Sequence, residues 1–262
     1  MLKTTKDTGK TAKNVTKISA PVIDEADMTI IGHRGASGYE PENTLASFKK
    51  ALDLGVDMIE LDVYVIETGE LVVIHDDKVD RTTNGTGYVE SFTLSQLRTL
   101  DAGRGQKVPM LREVLDLINK RVPVNIELKG EGTAQPVAAT IREYIEKGWK
   151  PSQFRVLSFD HIELKRFIAR MPGIRAGASY EGVLDGFAED ASKLGASMTV
   201  VESDFVLPES VKEAHDKGLE VLVYTVNTRA EARRLRKLNV DGIFSDYPDK
   251  VAPRFAPAMV RR

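Results

Sequence analysis

The sequence predicts an α/β fold, a (β/α)8 barrel with a small excursion after the second barrel strand, and three observations carry that expectation. Short β-branched runs alternate with longer amphipathic runs from Thr29 to about Tyr247. Eight of these runs read as strands, the number that closes a parallel barrel. Helices pass into strands through recurrent breaks, at Leu54-Gly55-Val56-Asp57, Leu194-Gly195-Ala196-Ser197, Lys217-Gly218-Leu219-Glu220 and Leu238-Asn239-Val240-Asp241. At each, Gly or Asn tolerates the left-handed backbone that ends a helix. An open doubly wound sheet is the main rival.

The elements follow in order. Residues 29–32 form the first strand. Residues 44–54 read as a helix because Leu45, Phe48, Ala51 and Leu52 recur at helical spacing behind the Asn43-Thr44 cap signal. Residues 57–65 form the second strand. From Tyr64 to Pro109 the rhythm breaks into a short strand at 71–74, a turn-rich stretch at 81–87 and a short helical run at 94–100. This is the excursion, on the face where barrel enzymes keep their sites. The alternation then resumes, with helices at 111–120, 134–147, 162–170, 184–194, 209–217 and 229–238. Strands at 122–128, 154–159, 175–179, 197–201, 220–226 and 241–245 lie between and after them.

The first twenty residues hold Lys3, Lys6, Lys10, Lys13 and Lys17 against the single acid Asp7. Residues 1–27 are therefore expected to be a flexible lysine-rich arm, and residues 28–262 a single barrel domain. Gly9-Lys10-Thr11 resembles the end of a phosphate-binding loop, but Thr4 stands where that motif needs its first glycine. At 262 residues, 42% hydrophobic and 29% charged, the chain has ordinary globular composition. A net charge of -2 lacks the basic excess that nucleic-acid binding relies on. There is no cysteine, so disulfides and thiolate metal sites are excluded. No apolar run is long enough to span a membrane and none near the start makes a secretory signal. The expected location is cytoplasmic, with no nucleic-acid partner and an open oligomeric state.

In Met58-Ile59-Glu60-Leu61-Asp62-Val63 the two acids sit at i and i+2, so a strand points both to one face and Ile59, Leu61 and Val63 to the other. The next barrel strand repeats the pattern, with Asn125, Glu127 and Lys129 alternating with Val124, Ile126 and Leu128. In a barrel the apolar sets meet the helices and the acids point inward. Inward carboxylates must be paired, protonated or metal-bound. Three of them with no cysteine suit one hard divalent cation, Mg2+ or Ca2+. The competing reading, ion pairs on exposed strands, explains any one acid but not three at adjacent strand ends.

His33 follows the first strand and His75 follows 71–74, so both lie just past strand ends. One imidazole can accept a proton from an attacking oxygen while the other donates one to a departing oxygen. His161, at a helix start after Asp160, and His215, within a helical run, are read as structural. Arg34 and Lys129 can bind phosphate oxygens, the first as a fork and the second as a point charge, or can neutralise the acids. Together these residues are the parts for metal-assisted cleavage of a phosphate ester.

The ordered set His33-Arg34-Gly35, Pro41-Glu42-Asn43-Thr44, Glu60-x-Asp62, His75-Asp76, Arg81-Thr82-Thr83-Asn84-Gly85-Thr86-Gly87, Glu127-Leu128-Lys129, Thr225-Val226-Asn227 and Asp246-Tyr247-Pro248 resembles the glycerophosphodiester phosphodiesterase family, of the phospholipase-C-like phosphodiesterase superfamily. The resemblance covers about Ile30 to Pro248. It implies a TIM barrel, metal ligands at Glu60, Asp62 and Glu127, and acid-base catalysis by His33 and His75. It also places Arg34, Glu42 and Lys129 around the substrate phosphate. The implied reaction is hydrolysis of a small-molecule glycerophosphodiester to sn-glycerol 3-phosphate and an alcohol. Two features depart from the family pattern: Tyr224 where Trp is common, and the lysine-rich arm. A phospholipase-D-like enzyme of the same superfamily and a barrel that binds glycerophosphate without turnover are the alternatives. The first fits poorly with a cysteine-free chain, and the second would not need two histidines.

Overall fold

The computed structural model describes residues 28–182 and 185–252. In chain order the elements are β1 (Thr29–Gly32), α1 (Leu45–Leu54), β2 (Met58–Val65), β3 (Leu71–Val73), α2 (Leu94–Thr99), α3 (Leu111–Ile118), β4 (Val124–Leu128), α4 (Ala134–Glu146) and β5 (Phe154–Ser158). Then come α5 (His161–Arg170), β6 (Arg175–Tyr180), α6 (Phe187–Leu194), β7 (Met198–Glu202), α7 (Pro208–Asp216), β8 (Glu220–Tyr224), α8 (Arg229–Lys237), β9 (Gly242–Ser245) and α9 (Pro248–Val251). The strands run β1-β9-β8-β7-β6-β5-β4-β2, all parallel, and β2 pairs back onto β1 through Ile31 opposite Met58. The sheet therefore closes into an eight-stranded (β/α)8 barrel, and the open-sheet alternative falls.

The strand pleat sorts the core into two shells. Ile59, Leu61 and Val63 face outward and are fully buried with Phe48 and Ala51 of α1 and Val114, Leu115 and Ile118 of α3. Ile31, Met58, Leu157, Met198, Val200, Leu222 and Phe244 fill the barrel interior. Gly177 belongs to this interior because a Cβ there would stand 2.6 Å from both Leu157 and Met198 side-chain carbons. At the N-terminal end Glu220 closes the floor by pairing with Arg155 at 3.0 Å and Arg175 at 2.6 Å.

The excursion leaves the barrel as β3, which runs antiparallel to β2 with Val63 opposite Val73. It carries its own small core of Ile66, Val72, Ile74, Val79, Val89, Leu97, Ala102 and Val108. The four helix-to-strand breaks use the left-handed backbone read from the sequence, with φ of 80° at Gly55, 83° at Gly195, 74° at Gly218 and 62° at Asn239.

Element ends differ locally from the sequence expectation. The second strand starts at Met58, because the Asp57 carboxylate instead accepts the backbone N–H of Ile30 at 2.8 Å. The strand expected to reach residue 226 ends at Tyr224, where the peptide to Thr225 is cis. The helix expected from 184 begins at Phe187; Val183 and Leu184, like the arm at 1–27 and the segment 253–262, lie outside the described residues. Among the described residues no helix is long and apolar enough to cross a membrane.

Candidate active site

The C-terminal mouth of the barrel holds a cavity of about 290 Å³ lined by His33, Arg34, Glu60, His75, Glu127, Lys129, Leu157, Phe159, Glu181, Val200, Tyr224, Thr225 and Phe244. The polar lining comes mainly from the ends of β1, β2 and β4, and the apolar lining from β5, β7, β8 and β9. A groove of about 270 Å³ near Leu71 and Pro136 lies away from this chemistry and holds no histidine.

Glu60 and Asp62 come from alternate positions of β2, Glu60 lining the cavity and Asp62 buried beside it, and Asp62 stands opposite Glu127 in the β2–β4 register. Oxygens of Glu60, Asp62 and Glu127 lie within 4.8 Å of one another. Glu60 and Asp62 are 2% and 1% exposed, so water screens little of their repulsion. Burial, and then the charges of Asp62 and Glu127, push the Glu60 carboxyl well above its ordinary pKa; burial and Asp62 also raise that of Glu127.

Some compensation is built in. The backbone N–H of Arg34 donates to Glu60 Oε2 at 2.7 Å, Asn43 Nδ2 donates to Asp62 Oδ2 at 2.8 Å, and Lys129 Nζ donates to Glu127 Oε1 at 2.8 Å. Arg34 and Asn43 adopt φ of 52° and 57° to make these contacts, a left-handed strain for side-chain-bearing residues that serves the site. Asp62 Oδ1 is nevertheless buried with no hydrogen-bond partner. Three clustered oxygen donors, one of them orphaned and two with carboxyl pKa values raised by burial and mutual repulsion, fit a hard divalent cation that would offset that repulsion.

Arg34 turns its side chain to Glu42, with Nη1 to Oε1 at 2.8 Å, and its Nε lies 3.6 Å from Asp62 Oδ2. Burial opposes its charge, but Asp62, Glu42 and Glu60 outweigh burial and raise its pKa. Lys129 behaves likewise, through Glu127 and Asp62. Both cations are thus held charged beside the acids in the cavity lining.

Each histidine is fixed by a carboxylate on Nδ1. His33 Nδ1 pairs with Asp246 Oδ1 at 2.7 Å, and Asp246 also accepts from Ser37 Oγ at 2.8 Å and Asn227 Nδ2 at 2.7 Å. Burial disfavours the Asp246 charge, yet His33, Asn227 and Ser37 bring its pKa down to about 2. No partner engages His33 Nε2 among the described residues. His75 Nδ1 pairs with Asp76 Oδ1 at 2.6 Å, and its Nε2 lies 3.2 Å from Lys129 Nζ. Burial, reinforced by Lys129 and Arg34, lowers the pKa of His75 despite the opposing Asp62 and Asp76.

All eight residues singled out in the sequence converge here. Glu42 does so indirectly, 19% exposed at the cavity margin and bonded to Arg34. His161 and His215 lie elsewhere: the first starts α5 and packs edge-on to Tyr180, the second pairs with Asp241 at 2.9 Å. Sequence reasoning assigned no role to Asp246, Ser37, Asn227 or Arg81, nor to the cavity wall of Phe159, Glu181 and Tyr224. Asn227 and Asp246 follow the ends of the last two strands, and that position is the signal that marks them.

A family model described as "Glycerophosphoryl diester phosphodiesterase family" matches residues 33–250. The chain is 38% identical over 232 residues to a glycerophosphodiester phosphodiesterase of Caldanaerobacter subterraneus subsp. tengcongensis, covering 84% of this chain and 94% of that one. It is 34% identical over 244 residues to a glycerophosphodiester phosphodiesterase of Bacillus subtilis, covering 84% and 83%. Among solved structures, an Oleispira antarctica phosphodiesterase in complex with the product sn-glycerol-3-phosphate superposes with a TM-score of 0.80 at 30% identity, covering 87% and 97%. A glycerophosphodiester phosphodiesterase of Agrobacterium tumefaciens gives 0.75 at 32% identity, covering 86% and 99%.

Proposed function

Since the chain belongs to the glycerophosphoryl diester phosphodiesterase family, we propose that its barrel mouth hydrolyses glycerophosphodiesters to sn-glycerol 3-phosphate and an alcohol, with a divalent cation at Glu60, Asp62 and Glu127 and with His33 and His75 as the acid-base pair. The observation that carries this reading is the meeting of a buried three-carboxylate cluster with two carboxylate-braced imidazoles in one cavity that also presents two cations. The product complex of the Oleispira relative supports the same substrate class.

A bound dication would supply charge neutralisation at the phosphoryl oxygens, and either Mg2+ or Ca2+ suits an all-oxygen donor set. The chain's own groups do the rest. Arg34 and Lys129 hold nonbridging oxygens by charge-assisted hydrogen bonds, while Glu42 fixes the plane of the Arg34 guanidinium. His33, with Nδ1–H on Asp246, leaves its Nε2 lone pair free, so it takes the proton of the attacking oxygen. That oxygen is water, which gives the monoester directly, or the substrate's own glycerol hydroxyl, which expels the alcohol to form a cyclic phosphate that water then opens to sn-glycerol 3-phosphate. His75, held on Nδ1 by Asp76, presents Nε2 to the cavity and passes a proton to the departing alcohol. Phe159, Tyr224 and Phe244 form the apolar opposite side of the cavity.

His33→Ala and His75→Ala are each expected to lower kcat by roughly 100-fold or more, the usual scale of positioned acid-base catalysis, while circular dichroism and Tm stay near wild type. Full turnover of glycerophosphocholine by either variant would remove that residue from the mechanism.

A further inference from the structure

One guanidinium outside the cavity lining ties the two halves of the site together. Arg81, in the turn-rich part of the excursion, donates from Nε to Asp76 Oδ2 at 2.6 Å and from Nη2 to Asp76 Oδ1 at 2.9 Å. The same side chain donates from Nη1 to Glu42 Oε2 at 2.7 Å and from Nη2 to Glu42 Oε1 at 2.8 Å. Asp76 is the carboxylate that holds His75, and Glu42 is the one that holds Arg34. The result is an unbroken chain His75–Asp76–Arg81–Glu42–Arg34. It joins the excursion to the barrel at the site.

A surface arginine usually makes one loose ion pair of little consequence. Arg81 instead uses its planar fork twice, in two bidentate engagements that no lysine could reproduce. Its neighbours are organised for the task. Thr83 Oγ1 donates to the Val79 carbonyl at 2.8 Å, and Asp80 accepts from the Gly87 backbone N–H at 2.9 Å, so the turn that presents Arg81 is itself pinned. Val79 beneath it is fully buried in the excursion core.

We infer that Arg81 is a positioning residue: it acts through Asp76 to aim His75 and through Glu42 to aim Arg34, so that the excursion sets the geometry of proton delivery to the leaving oxygen. The inference rests on the acid role proposed for His75. Arg81 touches no substrate in this scheme, and its loss leaves every reacting group present but less well aimed. A misplacement near 1 Å costs roughly 100-fold in such geometries.

The test compares Arg81→Ala and Arg81→Lys with wild type and His75→Ala on two substrates. One is glycerophosphocholine, whose alkoxide needs a proton to leave; the other is the p-nitrophenyl ester of glycerol 3-phosphate, whose phenolate does not. Arg81→Ala is expected to lower kcat for the choline substrate by roughly 10- to 100-fold, with a markedly smaller loss on the aryl ester. Added guanidinium should restore part of the lost rate, and Arg81→Lys should remain impaired. Tm should move little, because the excursion core is untouched. An equal loss on both substrates, or a rate within twofold of wild type on both, would overturn the inference. If His75→Ala itself lacks the leaving-group signature, the acid role of His75 fails instead, and the two failures are told apart.

Discussion

Replacing Glu60 by Gln should stabilise the protein without its cation and weaken it with one. Two carboxylates with oxygens within 4.8 Å of each other repel by at least about 3 kcal/mol at an effective dielectric near 20, and Glu60 faces two such neighbours, Asp62 and Glu127. Arg34 offsets part of this through its backbone N–H and its side-chain charge. The neutral amide can still accept the Arg34 N–H, so Glu60→Gln is expected to recover on the order of 2 kcal/mol, part of that pair repulsion. For a domain of this size that corresponds to roughly 4–8 °C in Tm.

The pH dependence has a matching sign. Glu60 and Glu127 have folded pKa values raised above the unfolded value of 4.5, so their penalty is absent below that value and grows as pH rises through the folded ones. Wild-type protein in chelator should therefore gain stability on acidification from neutrality toward pH 4.5. Glu60→Gln should flatten that gain. With millimolar Mg2+ or Ca2+ the ranking should invert, because the ion stabilises wild type by mass action and the variant has lost one ligand. Thermal unfolding of both proteins with chelator and with each ion reads all of this. A variant destabilised equally under every condition would show that Glu60 is a structural acid and no ligand.

Two further perturbations test separate parts of the structure. Asp246→Asn keeps the size of the group that holds His33 but removes its charge, so kcat should fall by at least roughly 100-fold while the affinity for sn-glycerol 3-phosphate changes little; unchanged kcat would unseat Asp246 as the brace. Gly177→Ala forces a Cβ within 2.6 Å of Leu157 and Met198 in the closed interior and should cost about 1–3 kcal/mol in urea unfolding, whereas a neutral result would mean the interior has slack.

What the sequence made legible is what local periodicity encodes. The i, i+2 spacing of Glu60 and Asp62 placed both on the inner face of β2, and the position of Glu127 in β4 put it beside them, because a parallel barrel stacks consecutive inward positions. His33 and Arg34 were legible as strand-end residues for the same reason. Relationships across the chain were not. Asp246 holds His33 from 213 residues away, and nothing in either neighbourhood announces the pairing. Arg81 sits in a stretch whose local pattern reads as turns and which the family resemblance marks without giving Arg81 a role, and its grip on Glu42, 39 residues earlier, exists because β3 folds back on β2. The left-handed backbone at Arg34 is equally silent in sequence, since it is imposed by the Glu60 and Asn43 contacts and by no local preference of arginine.

The reaction and its dependence on the carboxylate cluster meet in a single measurement, phosphorus NMR of glycerophosphocholine incubated with protein stripped by chelator and then supplied with Mg2+ or Ca2+. The expected result is an intact diester signal until the ion is added, followed by conversion to the monoester resonance of sn-glycerol 3-phosphate. Undiminished conversion by the stripped protein, or no monoester with either ion, would contradict the assignment of Glu60, Asp62 and Glu127 to a catalytic metal centre.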